Sequence, residues 1–284
     1  MTEKELLIIE TAMKLFANKG FSNTSIQEIA KESGISKGAF YLHFKSKDSL
    51  FLGILQYHTK QIKQKVLSIE VQPLPPREKF IKQFQVQIEE IEQHKAFIIM
   101  QLREKAVPFS EEIQTYLMNM RYEQHVFYQQ LITSIYGEKV EKYLVDLSFM
   151  LRGIFETYME YMIFEKESLH PEQVAVYLLS RLDDLVAGII QSNEEPLFRT
   201  ESICTFTSTP TTREDILLYL ETLQQQFTTE EAVEVQDTVQ VLIEELNREA
   251  PRAVVLKGML TYLPDIKWKK IHMLIQQYLK SYSK

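Results

Sequence analysis

The sequence predicts an all-α fold, and three observations support that prediction. Only eight glycines and nine prolines occur in 284 residues, so few positions interrupt regular structure. Long stretches are rich in Leu, Ile, Glu, Gln and Lys, which favour helices. Apolar residues recur at intervals of three and four, as they do on the buried face of an amphipathic helix. Hydrophobic residues make up 45% of the chain, which is enough for a packed core.

The first predicted helix covers about Glu3–Lys19. Its apolar face consists of Ile8, Ala12, Leu15 and Phe16, at spacings that place these four side chains on one side of the helix. Gly20 follows at once and is a typical helix terminator. We therefore expect a helix of about four to five turns at the N-terminus, ending in a turn.

Two shorter helices follow. Thr24 is the predicted N-cap of the second helix, with Gln27 completing a capping box. That helix ends near Gly34, and Ser36 is the predicted cap of a third helix over Lys37–Phe44. Two short helices that are joined by a tight glycine-containing turn, after a longer first helix, form a helix-turn-helix pattern.

The rest of the chain is also predicted to be helical. Ser46 begins a fourth helix, which the proline-rich segment Val71–Pro76 interrupts. Further helices are expected at about 77–105, 110–136, 138–166 and 171–191. Residues 192–212 lack periodicity and are interpreted as a linker or irregular crossing. A last helical block, capped by Thr212, runs to the end. The predicted domains are residues 1–48, 49–191 and 213–284, with 192–212 between the last two.

Charge is distributed unevenly along the chain. Residues 1–65 contain ten Lys against six Asp or Glu, a net charge of +4, whereas residues 66–284 carry −11, which gives the formal total of −7. A basic N-terminal part on an acidic body predicts that the N-terminal part contacts a polyanion.

Several classes of protein are excluded by composition. The single Cys204 cannot form an internal disulfide, and we expect neither a metal site nor a cofactor because no Cys/His cluster or phosphate-binding loop occurs. No apolar run reaches the ~18 residues of a membrane span. The N-terminus lacks the pattern of a signal peptide. We therefore expect a soluble cytoplasmic protein without a membrane span.

The third helix has two contrasting faces. Phe40 and Phe44 lie four residues apart on the side expected to pack inward, whereas Lys37 and Tyr41 share the opposite side. Gly38 and His43 flank this outer face. A short helix with such a face fits a DNA major groove about 12 Å wide.

Residues around this helix suit phosphate binding. Thr24 and Ser36 are at predicted helix N-termini, where hydroxyl and free N–H groups bind phosphate. Lys47, in the first turn of the fourth helix, is a candidate for a further phosphate contact. Taken one at a time, each of these side chains is also typical of an ordinary solvated surface.

The same segment contains a rival motif. Gly34–Gly38 satisfies the G-x-S-x-G pattern of a hydrolase nucleophile elbow, which requires a strand before the serine. The preceding residues are helical and polar, so this interpretation is rejected. With no catalytic residues identified, the chain is not expected to be an enzyme.

The segment Phe16–Phe51 resembles the DNA-binding region of the TetR (tetracycline repressor) family. The matching residues are Gly20, Phe21, Thr24, Ser25, Ile26, Ile29, Ala30, Gly34, Ile35, Ser36, Lys37, Gly38, Tyr41, His43, Phe44, Lys47 and Leu50. The resemblance implies an all-helical homodimeric repressor that binds a palindromic operator and releases it on binding a small molecule. Leu42 departs from the pattern, because many members carry a polar or aromatic residue there.

The resemblance also implies roles for individual residues. It places Lys37, Gly38, Tyr41 and His43 in the groove. It assigns the DNA backbone to Thr24, Ser25, Ser36 and Lys47.

For residues 49–191 the resemblance implies a helical bundle that binds an effector and dimerises. Segments of this region are rich in Met, Phe and Tyr, which line adaptable apolar cavities but are equally typical of ordinary cores. The candidate effector residues are Phe97, Met100, Arg103, Tyr122, Arg152, Phe155, Glu156 and Tyr158. As in relatives, dimerisation is expected to use the helices near 138–166 and 171–191. A central core helix is the alternative for residues 173–190.

About 85 residues extend beyond the usual family length. They could widen the dimer interface, cover the effector pocket or bind a second protein. The final helix is basic and amphipathic and contains the single Trp268. Such a helix can lie on a membrane surface or pack into a groove, and packing on the body is expected. Two functional hypotheses remain: a ligand-responsive repressor of the TetR type, and a helical protein–protein interaction module without an operator.

Overall fold

The computed structural model describes residues 1–103, 110–164, 169–198, 212–225, 233–263 and 268–282. All regular structure in these ranges is helical, which confirms the predicted all-α class. The helices are α1 (Glu3–Lys19), α2 (Ile26–Glu32), α3 (Lys37–His43), α4 (Lys47–Glu70), α5 (Pro76–Gln93), α6 (Lys95–Arg103), α7 (Glu111–Tyr136), a 3₁₀ helix (Gly137–Tyr143), α8 (Leu144–Phe164), α9 (Pro171–Ser192), α10 (Arg213–Gln224), α11 (Val233–Leu246), α12 (Ala253–Leu260) and α13 (Lys269–Tyr282).

Helix α1 has the predicted bounds because both of its ends are specified locally. Thr2 and Glu5 form a capping box, in which the Glu5 N–H donates to Thr2 Oγ1 at 3.2 Å and the Thr2 N–H donates to Glu5 Oε2 at 2.8 Å. At the other end, Gly20 has φ +85°. Side chains other than glycine rarely adopt such an angle, so the helix stops there.

The capping prediction for α2 is wrong by one residue. Ser25, and not Thr24, is the N-cap, and its hydroxyl accepts from the Glu28 N–H at 3.2 Å. Thr24 is buried instead, because its hydroxyl donates to the Gly20 carbonyl at 2.8 Å and closes the turn after α1. Gln27 therefore does not complete a capping box.

The caps of α3 and α4 are confirmed. Ser36 Oγ accepts from the Ala39 N–H at 3.0 Å, and Ser46 Oγ accepts from the Ser49 N–H at 2.9 Å. Between α2 and α3, Gly34 has φ +69°, the left-handed conformation that the tight turn requires.

Later boundaries differ from the sequence prediction. The helix expected over 77–105 is divided at His94 into α5 and α6, of which α5 packs on α9 and α6 packs on α1. The helix expected from 138 begins as the 3₁₀ helix. The last helical block consists of α10 to α13 within the described ranges. Most of the predicted linker, residues 199–211, lies outside the described part of the chain.

The described ranges contain three apolar cores. The first joins α1–α3 and the start of α4 and includes Phe97 of α6; the second fills the bundle of α5, α7, α8 and α9. The third belongs to α10–α13 and includes Trp268. By contacts, the chain forms two compact units, Met1–Lys63 with Leu74–Cys204, and Gln64–Pro73 with Thr205–Lys284; we refer to the latter as the C-terminal unit.

Candidate nucleic-acid interface

Helix α3 is anchored by its inner face. Phe40 is fully buried in the same core as Ile29 and Ala30 of α2. Its ring lies 6.0 Å from that of Phe44 and meets the ring of Tyr41 edge-on at 5.6 Å. These contacts fix which side of α3 faces outward.

The outer face of α3 is exposed. Lys37, Gly38, Tyr41 and Leu42 all face solvent, with Tyr41 45% and Leu42 85% exposed. Ser36, at the start of the helix, and Ser25, at the start of α2, are exposed as well. The sequence-based expectation that Lys37, Gly38 and Tyr41 share an accessible surface therefore agrees with their positions.

The fold does not require glycine at position 38. A Cβ there would meet only the Ser36 hydroxyl oxygen, at 3.8 Å, which is an ordinary contact. The backbone at Gly38 thus leaves a gap in the outer face that the protein itself does not fill, and another molecule can approach α3 closely there.

Lys47 is held by the turn between α1 and α2. Its ammonium donates to the carbonyl oxygens of Phe21 at 2.8 Å and Thr24 at 3.0 Å, and it lies 4.4 Å from the centroid of the Phe21 ring. The Thr24 side chain is only 1% exposed. Both residues therefore support the turn, and the Thr24 hydroxyl does not point to solvent.

His43 has an acidic neighbour. Its Nδ1 lies 3.6 Å from Glu5 Oε1, across from the first turn of α1. The hydrogen bond from the Thr2 N–H, together with His43, lowers the pKa of Glu5. His43 is half-buried, so it connects α3 to α1 in addition to bordering the outer face.

Some predicted effector residues come together in the bundle. Arg152 Nε donates to Glu156 Oε1 at 2.7 Å, and its Nη1 lies 3.0 Å from His125 Nε2. Phe155, one turn from Arg152, is buried against Phe84 at a ring distance of 5.0 Å.

The other predicted effector residues are dispersed. Phe97 belongs to the N-terminal core and stacks on His58 at 5.7 Å. Tyr158 contacts Tyr177 of α9 at 5.6 Å, and Tyr122 is half-buried on α7. The side chains of Met100 and Arg103 lie outside the described part of the structure.

Sequence analysis missed His125. Because the Arg152 guanidinium can only donate, His125 Nε2 accepts and the neutral ring carries its proton on Nδ1. That Nδ1 is buried and has no hydrogen-bond partner in the described residues. Burial, with the charge of Arg152 adding to it, lowers the pKa of His125. Its spacing of three from Tyr128 on α7 was the signal that places it on an inward face.

The described ranges lack two further features. They contain no group of three or more His, Cys, Asp or Glu side chains arranged to hold a metal ion. None of the helices in them combines the length and the apolar character needed to cross a membrane.

Geometry and comparison together define a DNA-binding transcriptional regulator of the helix-turn-helix class. Residues 8–54 match the family model described as bacterial regulatory proteins, tetR family. The chain is 38% identical to the HTH-type transcriptional regulator YerO of Bacillus subtilis (strain 168) over 277 residues, covering 96% of this chain and 94% of that protein. It is 36% identical to YuxN of the same organism over 272 residues, with 93% of each covered.

The chain belongs to the TetR family of bacterial regulatory proteins, and it is a regulator and not an enzyme. A TetR-like transcriptional regulator from Rhodococcus sp. RHA1 shares the fold, with a TM-score of 0.53 and 20% identity over 65% of this chain and 96% of that one. That structure leaves about a third of this chain unmatched. The match to YerO is so complete that it must include most of the C-terminal unit.

Proposed function

We propose that the protein is a cytoplasmic, ligand-responsive repressor that binds a palindromic operator as a homodimer and releases it when a small apolar or amphipathic effector binds. The observation that carries this proposal is the outer face of α3. A helix that is anchored through the buried Phe40 exposes Lys37, Gly38 and Tyr41 side by side. In a family of DNA-binding regulators, this is the face that enters the major groove.

Each exposed group has a role in this proposal. Lys37 contacts phosphate or a guanine edge, Tyr41 contacts a base edge, and Gly38 allows close approach. Ser25 and Ser36, at the exposed starts of α2 and α3, bind the DNA backbone with their hydroxyl and N–H groups. Thr24, His43 and Lys47 act mainly by holding the turn and α3 in place, through the hydrogen bonds and contacts described above.

The homodimer would form through α8 and α9. Helix α9 buries Val174, Leu178 and Leu182 in the bundle, yet exposes Val176 and Tyr177 on its other side. Helix α8 exposes further large apolar side chains, namely Phe149, Met150, Tyr161 and Phe164. Burial of these residues against a second copy would place two α3 helices in one assembly, as half-sites about 34–36 Å apart or a multiple require.

The effector would bind in the bundle near Arg152. The Nδ1–H of His125 is a buried donor without a partner in the described residues, and the ring of Phe149 lies 4.4 Å from the imidazole. Such a donor favours a compound that combines an apolar body with one hydrogen-bond acceptor. We also propose that the chain is divided into domains at residues 48, 191 and 212.

Helix α4 would transmit the effect of the ligand. It begins at Lys47 and includes His58, whose Nε2 lies 3.1 Å from Met13 Sδ of α1. The same His58 ring stacks on Phe97 of α6 and meets the ring of His94 at 4.2 Å. A shift of α6 would therefore move α4 and α1. A hundredfold loss of operator affinity requires the ligand to prefer the released arrangement by about 2.7 kcal/mol.

Binding to DNA upstream of the protein's own gene tests the regulator hypothesis. We expect specific binding that weakens steeply with salt, because lysines displace condensed counterions. Tyr41→Ala should weaken specific binding about tenfold or more and nonspecific binding little. Tyr262→Ala, at an exposed tyrosine of the C-terminal unit, is the matched control and should change neither. Salt-independent or undetectable DNA binding by the wild type would support the alternative, a helical protein–protein interaction module.

Light scattering coupled to size-exclusion chromatography tests the dimer. Val176→Asp places a charge on the exposed side of α9 and should shift the protein to monomers. Val254→Asp is the matched control, because Val254 is 81% exposed on α12. Equal masses for the wild type and the Val176→Asp variant would exclude α9 as the dimer surface.

Compounds that release the operator can be tested against the His125 site. His125→Phe should alter the response to such compounds while leaving DNA affinity without ligand unchanged. His170→Phe, at an exposed histidine before α9, should alter neither. An unaltered response in the His125 variant would place the effector elsewhere.

A further inference from the structure

We propose that Leu42 determines sequence specificity by contacting the C5-methyl group of a thymine in each operator half-site. The proposal rests on the proposed binding of α3 in the major groove. It adds an apolar contact to the polar groups that the family resemblance assigns to this helix.

The first step is the exposure of Leu42. At 85%, it exceeds every other large apolar side chain of the described residues. It belongs to none of the three apolar cores and packs against none of them. An exposed leucine buries little apolar surface, so packing within the protein provides no reason for leucine at this position.

Leu42 also lies where a molecule can approach the backbone of α3. Leu42 lies one turn after Gly38 on the same side of α3, since residues four apart are neighbours on a helix surface. Gly38 has no side chain, and a Cβ at position 38 would have met only Ser36. No bulky group therefore separates Leu42 from a molecule that approaches the backbone of α3. Its neighbour Tyr41 is exposed on the adjoining side.

The apolar side chain of Leu42 complements only one kind of group in the major groove. A leucine side chain neither donates nor accepts hydrogen bonds. If it were placed against phosphate or the polar edge of a G·C pair, it would desolvate those groups without compensation. The thymine methyl is the apolar group that the major groove offers, and aliphatic side chains contact it favourably. A helix that carries Leu42 into the groove is therefore expected to select thymine at one position and disfavour the other bases.

The size of the effect follows from the area of one methyl group. Removal of a buried methyl from an apolar contact weakens binding about fourfold. In a palindromic operator bound by two copies, the change occurs twice, so about 15-fold is expected when both half-sites are altered.

A thermodynamic cycle between protein and DNA tests the proposal. The wild-type operator is first selected from random-sequence duplex DNA. Each thymine of the selected half-site is then replaced in turn by deoxyuridine, which removes only the methyl group. Affinities of the wild type and of Leu42→Ala are measured for every duplex. We expect one position at which deoxyuridine weakens the wild type by about fourfold per half-site and leaves the Leu42→Ala variant unchanged.

Controls separate this proposal from its premise. Tyr41→Ala should retain the sensitivity to deoxyuridine at that position, although its overall affinity is lower. Leu42→Ala should have wild-type circular dichroism, because the side chain is exposed. Equal sensitivity of the wild type and Leu42→Ala at every thymine would overturn the proposal while leaving operator binding intact, and so would a selected half-site without thymine. A wild type that selects no sequence would overturn operator binding, and this proposal with it.

Discussion

Residues 1–63, which form the first part of the larger compact unit and which we call the N-terminal domain, differ from the C-terminal unit in how their turns are closed. Each region builds an apolar core from helices, and each includes one end of α4. The start of α4 belongs to the N-terminal core, whereas Leu67 and Val71, near the other end of α4, pack on the core that contains Trp268. In the N-terminal domain, single hydroxyl side chains cap the helices within three residues in sequence. In the C-terminal unit, a charged cluster closes the turn from α11 to α12.

That cluster is centred on Glu245. The carboxylate is almost fully buried and accepts from the Arg252 backbone N–H at 2.7 Å and from the Arg252 guanidinium at 2.6 and 2.9 Å. Arg248 adds a longer contact at 3.3 Å. The Arg252 side chain holds the pKa of Glu245 at about 2. Turns made by caps depend on neighbouring residues, whereas this turn depends on residues seven apart that meet only after the chain has folded back.

Substitutions in the two apolar cores should have the largest effects, and they should affect operator binding differently in the two regions. Phe40→Ala should lower the free energy of unfolding by about 3–5 kcal/mol and abolish operator binding, because α3 loses its anchor. Leu242→Ala, at a fully buried residue of α11, should cost about 2–5 kcal/mol but leave α3 in place. Chemical unfolding followed by fluorescence of Trp268, the single tryptophan, reports on the C-terminal unit, and circular dichroism reports on all helices.

Loss of operator binding in both core variants would contradict this separation. It would show that the C-terminal unit is needed to hold the DNA-binding surface. Tyr41→Ala provides the reference for a variant that loses specific binding with a much smaller loss of stability than Phe40→Ala, because Tyr41 is partly exposed and only its ring edge contact with Phe40 is removed.

Two lysines of the N-terminal domain should behave differently. Lys47→Met retains the apolar stem but removes the ammonium from the turn carbonyls, and we expect a loss of about 1–2 kcal/mol in the free energy of unfolding. Lys37→Met, on the exposed face of α3, should leave stability unchanged and reduce the salt slope of DNA binding by about one for each half-site. Thermal unfolding and salt titrations measure the two effects. A stable Lys47→Met variant with a reduced salt slope would instead make Lys47 a direct phosphate ligand.

Acid should destabilise the two regions over different pH ranges. Burial, with His94 adding to it, lowers the pKa of His58 from 6.5 to about 4. The unfolded chain therefore binds a proton that the folded one does not, and stability is lost as pH falls from 6.5 towards 4. The pKa of Glu245 is lowered from 4.5 to about 2, so its contribution is complete above pH 4.5 and is lost below it.

Unfolding measured as a function of pH checks these ranges. His58→Phe should flatten the stability profile between pH 6.5 and 4, and Glu245→Gln should flatten it below pH 4.5. Profiles of both variants that parallel the wild type would show that other groups dominate the acid response.

The smallest effect on folding is expected at Gly38. Gly38→Ala should leave stability unchanged or raise it by up to about 1 kcal/mol, since alanine favours helices and the added methyl fits. Operator affinity should nevertheless fall, because the methyl group fills the gap through which DNA approaches α3. Thermal unfolding and operator titration of the same preparation measure both. Unchanged affinity would show that α3 lies farther from the groove floor than proposed.

The N-terminal domain could be predicted closely from sequence because its signals are local. The bounds of α1, the caps Ser36 and Ser46 and the turn at Gly34 all depend on residues within one turn of each other. The error at Thr24 has the same origin: two adjacent hydroxyl residues can both cap a helix. Which of them does so depends on the Gly20 carbonyl, which lies nearby only once the turn has formed.

The bundle and the C-terminal unit were less predictable because their features depend on distant partners. No sequence spacing indicates that His125 of α7 meets Arg152 of α8, or that Phe97 leaves the bundle for the N-terminal core. Likewise, the break between α11 and α12 requires Glu245 to be buried with Arg252.

The sequence by itself determined the helical class, the bounds of α1, the caps Ser36 and Ser46, the turn at Gly34 and the identity of the side chains on the outer face of α3. Helical periodicity and capping act over three or four residues, so they can be recognised without a structure. Tertiary structure alone decided that Lys47 binds turn carbonyls, that Thr24 is buried and that Leu42 stays in solvent. Exposure and hydrogen bonding of a side chain depend on which distant segments fold against it.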